Sequence, residues 1–299
     1  MSKNVAITGA SGLIGSALSA HLVGRGDTVV HLVRRPARNS AEISWHPGGE
    51  PLEPSALSDL DAIVHLAGEP LSGRRWTSGM RAEIRRSRIE STRTLAKALT
   101  QLDRPIRWVS GSATGFYGTD RGGEELTETS SAGRGFLAEV CQAWEAQTQP
   151  AADAGHPVAH VRTGIVLAPH GGALQYLLPI TKAGVAGPLG SGRQFWPWIT
   201  LTDQVRALAW LIDHREVTGP VNLVAPTPAT QGRISASIAS AMGRPSVVPT
   251  PSPVLKLVLG EFADTILGSQ RVLPQVLTDS GFTFQHGDID AAADWLMSA

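Results

Sequence analysis

The chain has one cysteine, Cys141, in 299 residues. No intrachain disulfide can form, and such a sequence fits a reducing cytoplasm. It has no surplus of either charge, with Lys plus Arg and Asp plus Glu both at 26. That balance argues against nucleic acid or a membrane surface as the main partner. No apolar run approaches the roughly 18 residues of a membrane span. The greasiest late stretch, Val254–Leu259, is interrupted by Lys256 and Glu261. No signal peptide is expected, because the first apolar run breaks at Gly9. A G-x-S-x-G elbow is missing, which argues against a serine hydrolase. The nine histidines show no ligand spacing with acids or Cys141, so no metal site is expected. At 42% hydrophobic residues the chain is nevertheless an ordinary globular one, long enough for one or two domains.

What is present begins at Lys3–Gly15, KNVAITGASGLIG. The run Val5-Ala6-Ile7 predicts a strand, and Leu13-Ile14-Gly15 opens a helix through Val23. Between them lie Gly9, Ala10, Ser11 and Gly12. The spacing G-x-x-G-x-x-G at Gly9, Gly12 and Gly15 is a dinucleotide-binding fingerprint in its required strand–turn–helix context. Gly9 permits a sharp turn, Gly12 lets a pyrophosphate approach the backbone, and Gly15 lets the helix lie close to the sheet. The helix N-terminus offers free N–H groups and partial positive charge to phosphates. An ordinary glycine-rich βα turn is the plainer account of the same residues.

A second strand, Thr28–Val33, ends in Arg34-Arg35-Pro36. The adenosine ribose of a dinucleotide lies at this strand end. NAD sites usually place an acid there, whereas NADP sites place Arg against the 2′-phosphate. The sequence has no acid at this end and two guanidinium groups, so the expected cofactor is NADP(H).

Further strands are expected at Asp61–Leu66, Ile106–Ser110, Val158–Val166 and Gly219–Val224. Helices are expected at Thr77–Leu102, Phe136–Ala154 and Gln204–His214, and Ser44–Pro54 reads as a connection. Alternating strands and helices predict a doubly wound parallel sheet of α/β class. The first strand ends lead to Leu66, Ala67 and Gly68 as further cofactor contacts, because ligands bind at the carboxyl edge of such sheets. On the long helix Arg81, Arg85, Arg86, Arg88 and Arg93 are interleaved with Glu83 and Glu90, which reads as a solvated face. Gly171–Gly192 is glycine-rich and reads as loop or hairpin rim. From Ala225 onward the pattern becomes mixed, with helices near Ile234–Met242, Val254–Ile266 and Asp288–Met297. The domain expectation is a Rossmann domain at 1–165, rejoined by 199–225, and a mainly substrate-binding domain at 166–299.

In this order the segments TGASGLIG (Thr8–Gly15), HLAG (His65–Gly68), SGSATGFYG (Ser110–Gly118), VRTGIVL (Val161–Leu167) and GPVNL (Gly219–Leu223) resemble the extended short-chain dehydrogenase/reductase family. The group is that of the nucleotide-sugar epimerases and dehydratases. Five more segments resemble its atypical branch of sugar-nucleotide epimerase or SulA-like proteins. These are LAGEP (Leu66–Pro70), RRWT (Arg74–Thr77), FLAEVCQAWE (Phe136–Glu145), GPLGSGRQ (Gly187–Gln194) and GEFAD (Gly260–Asp264). The resemblance covers essentially the whole chain. It implies a Rossmann domain plus a small substrate domain, and no settled substrate.

The family's engine is a Ser or Thr with a Tyr and a Lys spaced Y-x-x-x-K, the Lys lowering the phenol pKa and holding the nicotinamide ribose. Here Phe136 stands at the Tyr position and Val140 at the Lys position. Sliding the register by one gives Leu137 and Cys141, so neither register supplies the pair. The resemblance also sets Arg88 where an Asn normally helps order the proton relay, which would turn Arg88 toward the floor of the site. Candidates that remain for chemistry are Ser112, Tyr117 and Glu69. Ser112 sits at the Ser/Thr position. Tyr117 is a substitute acid or shapes its loop, and Glu69 is a base or a helix cap. Arg193 and Gln194 occupy the stretch that reads a nucleotide diphosphate in true epimerases, although Pro197-Trp198 replaces the usual Arg-Asp. Trp76, Trp196 and Trp198 suggest a flat apolar wall, with core packing as the alternative for at least one.

Two functions are carried forward. One is an NADP(H)-dependent oxidoreductase or epimerase with an altered proton relay, acting on a small molecule. The other is a non-catalytic NADP(H)-binding sensor or interaction protein. Neither nucleic acid nor membrane is expected as a partner, and a homodimer is left open.

Overall fold

Val5, Ala6 and Ile7 are fully buried on a strand near the middle of a seven-stranded sheet. The computed structural model describes residues 2–71 and 75–298, so Arg74 of the RRWT segment lies outside the described residues. In chain order the sheet strands are β1 (Asn4–Thr8), β2 (Thr28–Val33), β3 (Glu42–Ser44), β4 (Ala62–His65), β5 (Arg107–Ala113), β6 (Val158–Thr163) and β7 (Gly219–Leu223). They are ordered β7-β6-β5-β4-β1-β2-β3, and every neighbouring pair is parallel. The chain order reverses between β1 and β4, which makes a crevice at their carboxyl ends.

Alternation along β1 sorts the two faces. Val5 and Ile7 pack on one face with Leu18 and Leu22 of α1 (Leu13–Gly24). Ala6 points to the other, with Leu95, Ala98 and Leu99 of α2 (Ser78–Leu99). Both sheet faces are therefore covered, as a parallel sheet requires. α3 (Phe136–Ala146) lies beside α2.

The expected doubly wound sheet is present, with local differences. β3 was not expected and ends where the expected connection, Ser44–Pro54, begins; three residues of strand carry too short a pattern to stand out. The helix expected over Phe136–Ala154 stops at Ala146, and a separate short helix runs Gln149–Asp153. Pro150 has no N–H to continue the first helix but suits the opening turn of the second. The strand expected over Val158–Val166 breaks at Gly164. A Cβ there would lie 2.5 Å from the Pro197 carbonyl oxygen, so the chain crosses Pro197 where only glycine fits. Beyond it Ile165–Leu167 pairs with Trp198–Thr200 in a separate two-stranded sheet.

The later chain adds α4 (Leu174–Lys182), inside the stretch read as loop, and α5 (Leu201–Asp213). Then follow α6 (Gln231–Ala241), α7 (Ser252–Leu259), α8 (Phe262–Leu267) and α9 (Ile289–Ser298). α7 and α8 divide the single helix expected there, at Gly260 with φ +60°. A third core joins Leu174, Trp196, Trp198, Ile238, Leu255 and Leu296. Asp203 of α5 is fully buried and accepts from the Gln285 N–H (2.9 Å) and the His286 N–H (2.8 Å), which ties the C-terminal segment to the sheet.

Candidate active site

The glycine turn is built as a cradle. Gly9 has φ +69°, and a Cβ on it would lie 2.9 Å from the Leu66 carbonyl carbon. A Cβ on Gly15 would lie 2.3 Å from the Gly9 carbonyl oxygen, so α1 can close on β1 only with glycine at this position. Gly12 is the N-cap of α1 and makes no side-chain cap, and the first turn holds no acid. The N–H groups of Leu13, Ile14 and Gly15 belong to the helix's first turn and have no intrahelical acceptor. Ser11 and Gly12 are exposed, and Leu13 and Ile14 are half-buried. A helix start with free N–H groups and no side-chain cap is a geometry that suits an anion such as a pyrophosphate.

Thr8 fixes the next turn. Its Oγ1 accepts from the N–H groups of Leu66 (3.0 Å) and Ala67 (3.1 Å) and lies 2.7 Å from His65 Nδ1. With both backbone donors on Oγ1, the Thr8 proton goes to Nδ1, which makes the imidazole neutral with its proton on Nε2. Nε2 lies 3.1 Å from the hydroxyls of both Ser91 and Thr92. Burial first, and the Arg88 charge second, push the His65 pKa down to about 3. Leu66, Ala67 and Gly68 are thus set against Gly9 from behind by a buried, uncharged hydrogen-bond chain.

At the end of β2, Arg34 is exposed, with no hydrogen bond or ion pair among the described residues. Arg35 is different. Its Nη1 and Nη2 grip the two carboxylate oxygens of Glu42 at 2.7 and 2.5 Å. The Arg35 hydrogen bond, followed by the Arg38 backbone N–H, pulls the Glu42 pKa down to about 2. The reading that no acid stands at this strand end is corrected here. Glu42 arrives from β3, and Arg35 already has a carboxylate.

Ser112, near the end of β5, donates its hydroxyl to Glu145 Oε1 at 2.6 Å. Glu145 in turn holds Arg162 of β6 through Oε1–Nε at 2.9 Å and Oε2–Nη2 at 3.0 Å. Arg162 Nη1 donates to the Tyr117 hydroxyl (3.1 Å), and Tyr117 donates to Asn222 Oδ1 (2.7 Å). The Arg162 guanidinium also lies 3.4 Å from the Phe116 ring centroid. Tyr117 is completely buried, and burial raises its pKa despite the neighbouring Arg162. As a substitute acid Tyr117 is therefore set aside: its proton and its acceptor position are both committed inside the core.

Phe136 is half-buried at the first position of α3. Trp76 meets it edge-on at 5.6 Å, the Arg81 guanidinium lies 4.5 Å from its centroid, and Phe262 of α8 stands 5.6 Å from Trp76. Arg81 also bridges to Glu261 at 3.1 Å, and Arg75 donates to the Leu257 carbonyl. These contacts tie Arg75, Trp76 and Arg81 to the α7–α8 segment beside Phe136.

Arg88 turns inward from α2. Its Nη1 donates to the carbonyls of Glu69 (3.0 Å) and Ile84 (3.1 Å), and its guanidinium lies 5.2 Å from the Trp144 ring centroid. A Cβ on Gly68 would come within 3.3 Å of its guanidinium carbon. Desolvation lowers its pKa. Glu69 is half-buried and does not cap α2; Thr77 does, accepting from the Met80 N–H.

Two substrate candidates are built into the structure instead of facing a ligand. The Gln194 amide is buried and donates to the Leu189 carbonyl at 2.9 Å. Trp198 is 1% exposed and packs in the third core. Core packing, the alternative the tryptophans already carried, is the outcome for Trp198, while Gln194 is held within its own loop and by the Ile266 carbonyl of α8 at 3.4 Å. Arg193 is exposed. The residues the sequence reading passed over are Thr8, Glu42, Glu145 and Arg162. Glu145 had a signal: Leu137, Cys141 and Glu145 are four apart, so the carboxylate shares the buried face. Arg162 had one too, standing inside an apolar strand that a lone cation does not enter unpaired.

A model of the NAD dependent epimerase/dehydratase family matches residues 5–224, and a model of a domain of unknown function matches residues 250–296. An epimerase family protein of Mycobacterium bovis is 41% identical over 289 residues, covering 96% of this chain and 95% of that one. The crystal structure of human epimerase family protein SDR39U1 (isoform 2) with NADPH is 31% identical, with a TM-score of 0.89 and 99% of each chain covered. A structure of a nucleoside-diphosphate sugar epimerase from Corynebacterium glutamicum is 35% identical, with a TM-score of 0.81. It covers 99% of this chain and 58% of that one.

Proposed function

This chain belongs to the NAD dependent epimerase/dehydratase family, and from that premise we propose that it is an NADP(H)-dependent oxidoreductase or epimerase of the short-chain type. Its substrate is a small molecule, and its proton relay is not a Tyr–Lys pair. The observation that carries the reading is the turn in which Gly9 and Gly15 leave no room for a Cβ and the exposed Gly12 caps α1 without a side chain, leaving the helix N–H groups free for phosphate. NADPH in the human relative supports the phosphorylated cofactor, as does the exposed Arg34 at the ribose end of β2. The cofactor supplies a hydride donor or acceptor.

The chain's own groups supply the rest. Leu13, Ile14 and Gly15 bind phosphate through their N–H groups, and Arg34 binds the 2′-phosphate. The Ser112 hydroxyl donates its hydrogen bond to Glu145, so its oxygen meets a ligand as an acceptor and orients a hydroxyl. Arg88 and Glu69 flank the same turn as Gly68. Phe136 moves no proton.

The position of Phe136 favours a second reading. With Trp76 and Arg81 packed on it, the usual donor position is filled by a ring in aromatic and cation–π contact that carries no transferable proton, as in a cofactor-binding sensor. Single-turnover NADPH oxidation against a panel of carbonyls and nucleoside diphosphate sugars separates the two. Oxidation by any member supports the enzyme, whereas tight NADPH binding with no oxidation across the panel leaves the sensor.

A further inference from the structure

The two arginines that α2 turns toward α3, Arg81 and Arg88, are seven residues apart, about 10 Å along the helix. Each covers an aromatic ring of α3: Arg81 lies over Phe136 and Arg88 over Trp144. Their electrostatic situations differ. Arg81 is neutralised by Glu261 at 3.1 Å. Arg88 forms no ion pair among the described residues, and its two acceptors are neutral carbonyls, both on Nη1. Its Nε and Nη2 make no hydrogen bond among the described residues. The buried carboxylate on the facing helix, Glu145, is already spent on Arg162 and Ser112.

Arg88 is half-buried, and the Nε–Nη2 edge of its inward-turned guanidinium is left without an acceptor among the described residues, open to an anion. The edge is fork-shaped and suits a planar two-oxygen anion. Farther along the α2–α3 seam, at Arg81, stand the aromatic rings of Trp76, Phe136 and Phe262, in edge or tilted contact. We propose that Arg88 receives a carboxylate of the substrate, which makes the substrate class a carbonyl or hydroxyl compound with a carboxylate at one end and an apolar or aromatic body. This rests on the reading of the cleft as an oxidoreductase site. The carboxylate seats on Nε and Nη2, the apolar body lies along Phe136 and Trp76, and the Ser112 oxygen is left to orient a hydroxyl.

The test uses the full-length protein saturated with NADP⁺. It is titrated with 4-carboxybenzaldehyde and, separately, with the uncharged 4-formylbenzamide, following tryptophan fluorescence. The carboxylate is expected to bind about tenfold tighter or more, the scale of a charge-assisted pair. Arg88→Gln should erase that preference, and Arg88→Lys should keep part of it. Equal affinity for the two compounds, or no binding of either, overturns the inference while leaving cofactor use intact. Loss of NADPH binding in Arg88→Gln, with wild-type melting behaviour, also overturns it, because Arg88 would then be a cofactor contact. Failure of the wild type to bind NADPH is a separate outcome that removes the underlying reading as well.

Discussion

Glu145 on α3 holds Arg162 on β6 through two parallel hydrogen bonds of 2.9 and 3.0 Å, while the same carboxylate accepts a hydrogen bond from the Ser112 hydroxyl. The side chains are 12% and 4% exposed, so this is a buried pair. Such a pair is weak evidence of net stability but costly to break from one side. Arg162→Met should destabilise the fold by about 3–5 kcal/mol, because the Glu145 charge is left without its partner. Adding Glu145→Gln should recover part of the loss. Urea unfolding of the two single variants and the double variant measures the coupling; additive losses would mean that the pair does not act as a unit.

Much of this architecture was legible in the chain. The glycine spacing predicted the β1–α1 turn, and alternation of strand and helix predicted the parallel sheet, because those signals are local. The network around Ser112 was not legible, since its members come from β5, α3, β6 and β7 and meet only after the sheet forms. Arg35 shows the same limit. Read along the chain it was a free cation, and in the fold β3 brings Glu42 onto it. Gln194 and Trp198 looked like ligand contacts because part of the core that takes them up, at Ile238, Leu255, Ile266 and Leu296, comes from residues at least thirty later in the chain.

Because Glu42 occupies Arg35, the 2′-phosphate should depend mainly on Arg34. Arg34→Ala should weaken NADPH binding by about tenfold, the scale of one charge-assisted contact. Arg35→Ala should change it less, and Glu42→Gln, which releases Arg35, should tighten it. Isothermal titration of the three variants checks the order. A larger loss in Arg35→Ala than in Arg34→Ala would reverse the assignment.

The cradle makes a steric prediction. A Cβ at position 15 would stand 2.3 Å from the Gly9 carbonyl oxygen, so Gly15→Ala must push α1 away from β1. A loss of about 1–3 kcal/mol is expected from overpacking, together with a large loss of NADPH affinity. Thermal melts with and without NADPH report both. An unchanged ligand-induced shift in the melting temperature would show that the turn does not carry the phosphates.

His65 predicts an acid-sensitive stability. Its folded pKa lies near 3 and its unfolded pKa near 6.5, so the unfolded chain binds the extra proton between these values. Stability is therefore complete above about pH 6.5 and falls as pH drops toward 3. Between pH 7.5 and pH 5 this group should account for about 2 kcal/mol. Comparing urea unfolding of wild type and His65→Gln at the two pH values isolates it. Equal pH dependence in both proteins would remove His65 as the cause.

The most direct measurement for the account as a whole is a side-by-side titration of NADPH and NADH into the wild-type protein and Arg34→Ala. The account predicts that wild type binds NADPH at least about tenfold tighter than NADH, and that Arg34→Ala removes most of that preference while NADH affinity stays near its wild-type value. Equal affinity of the wild type for NADPH and NADH, or binding of neither, would contradict it.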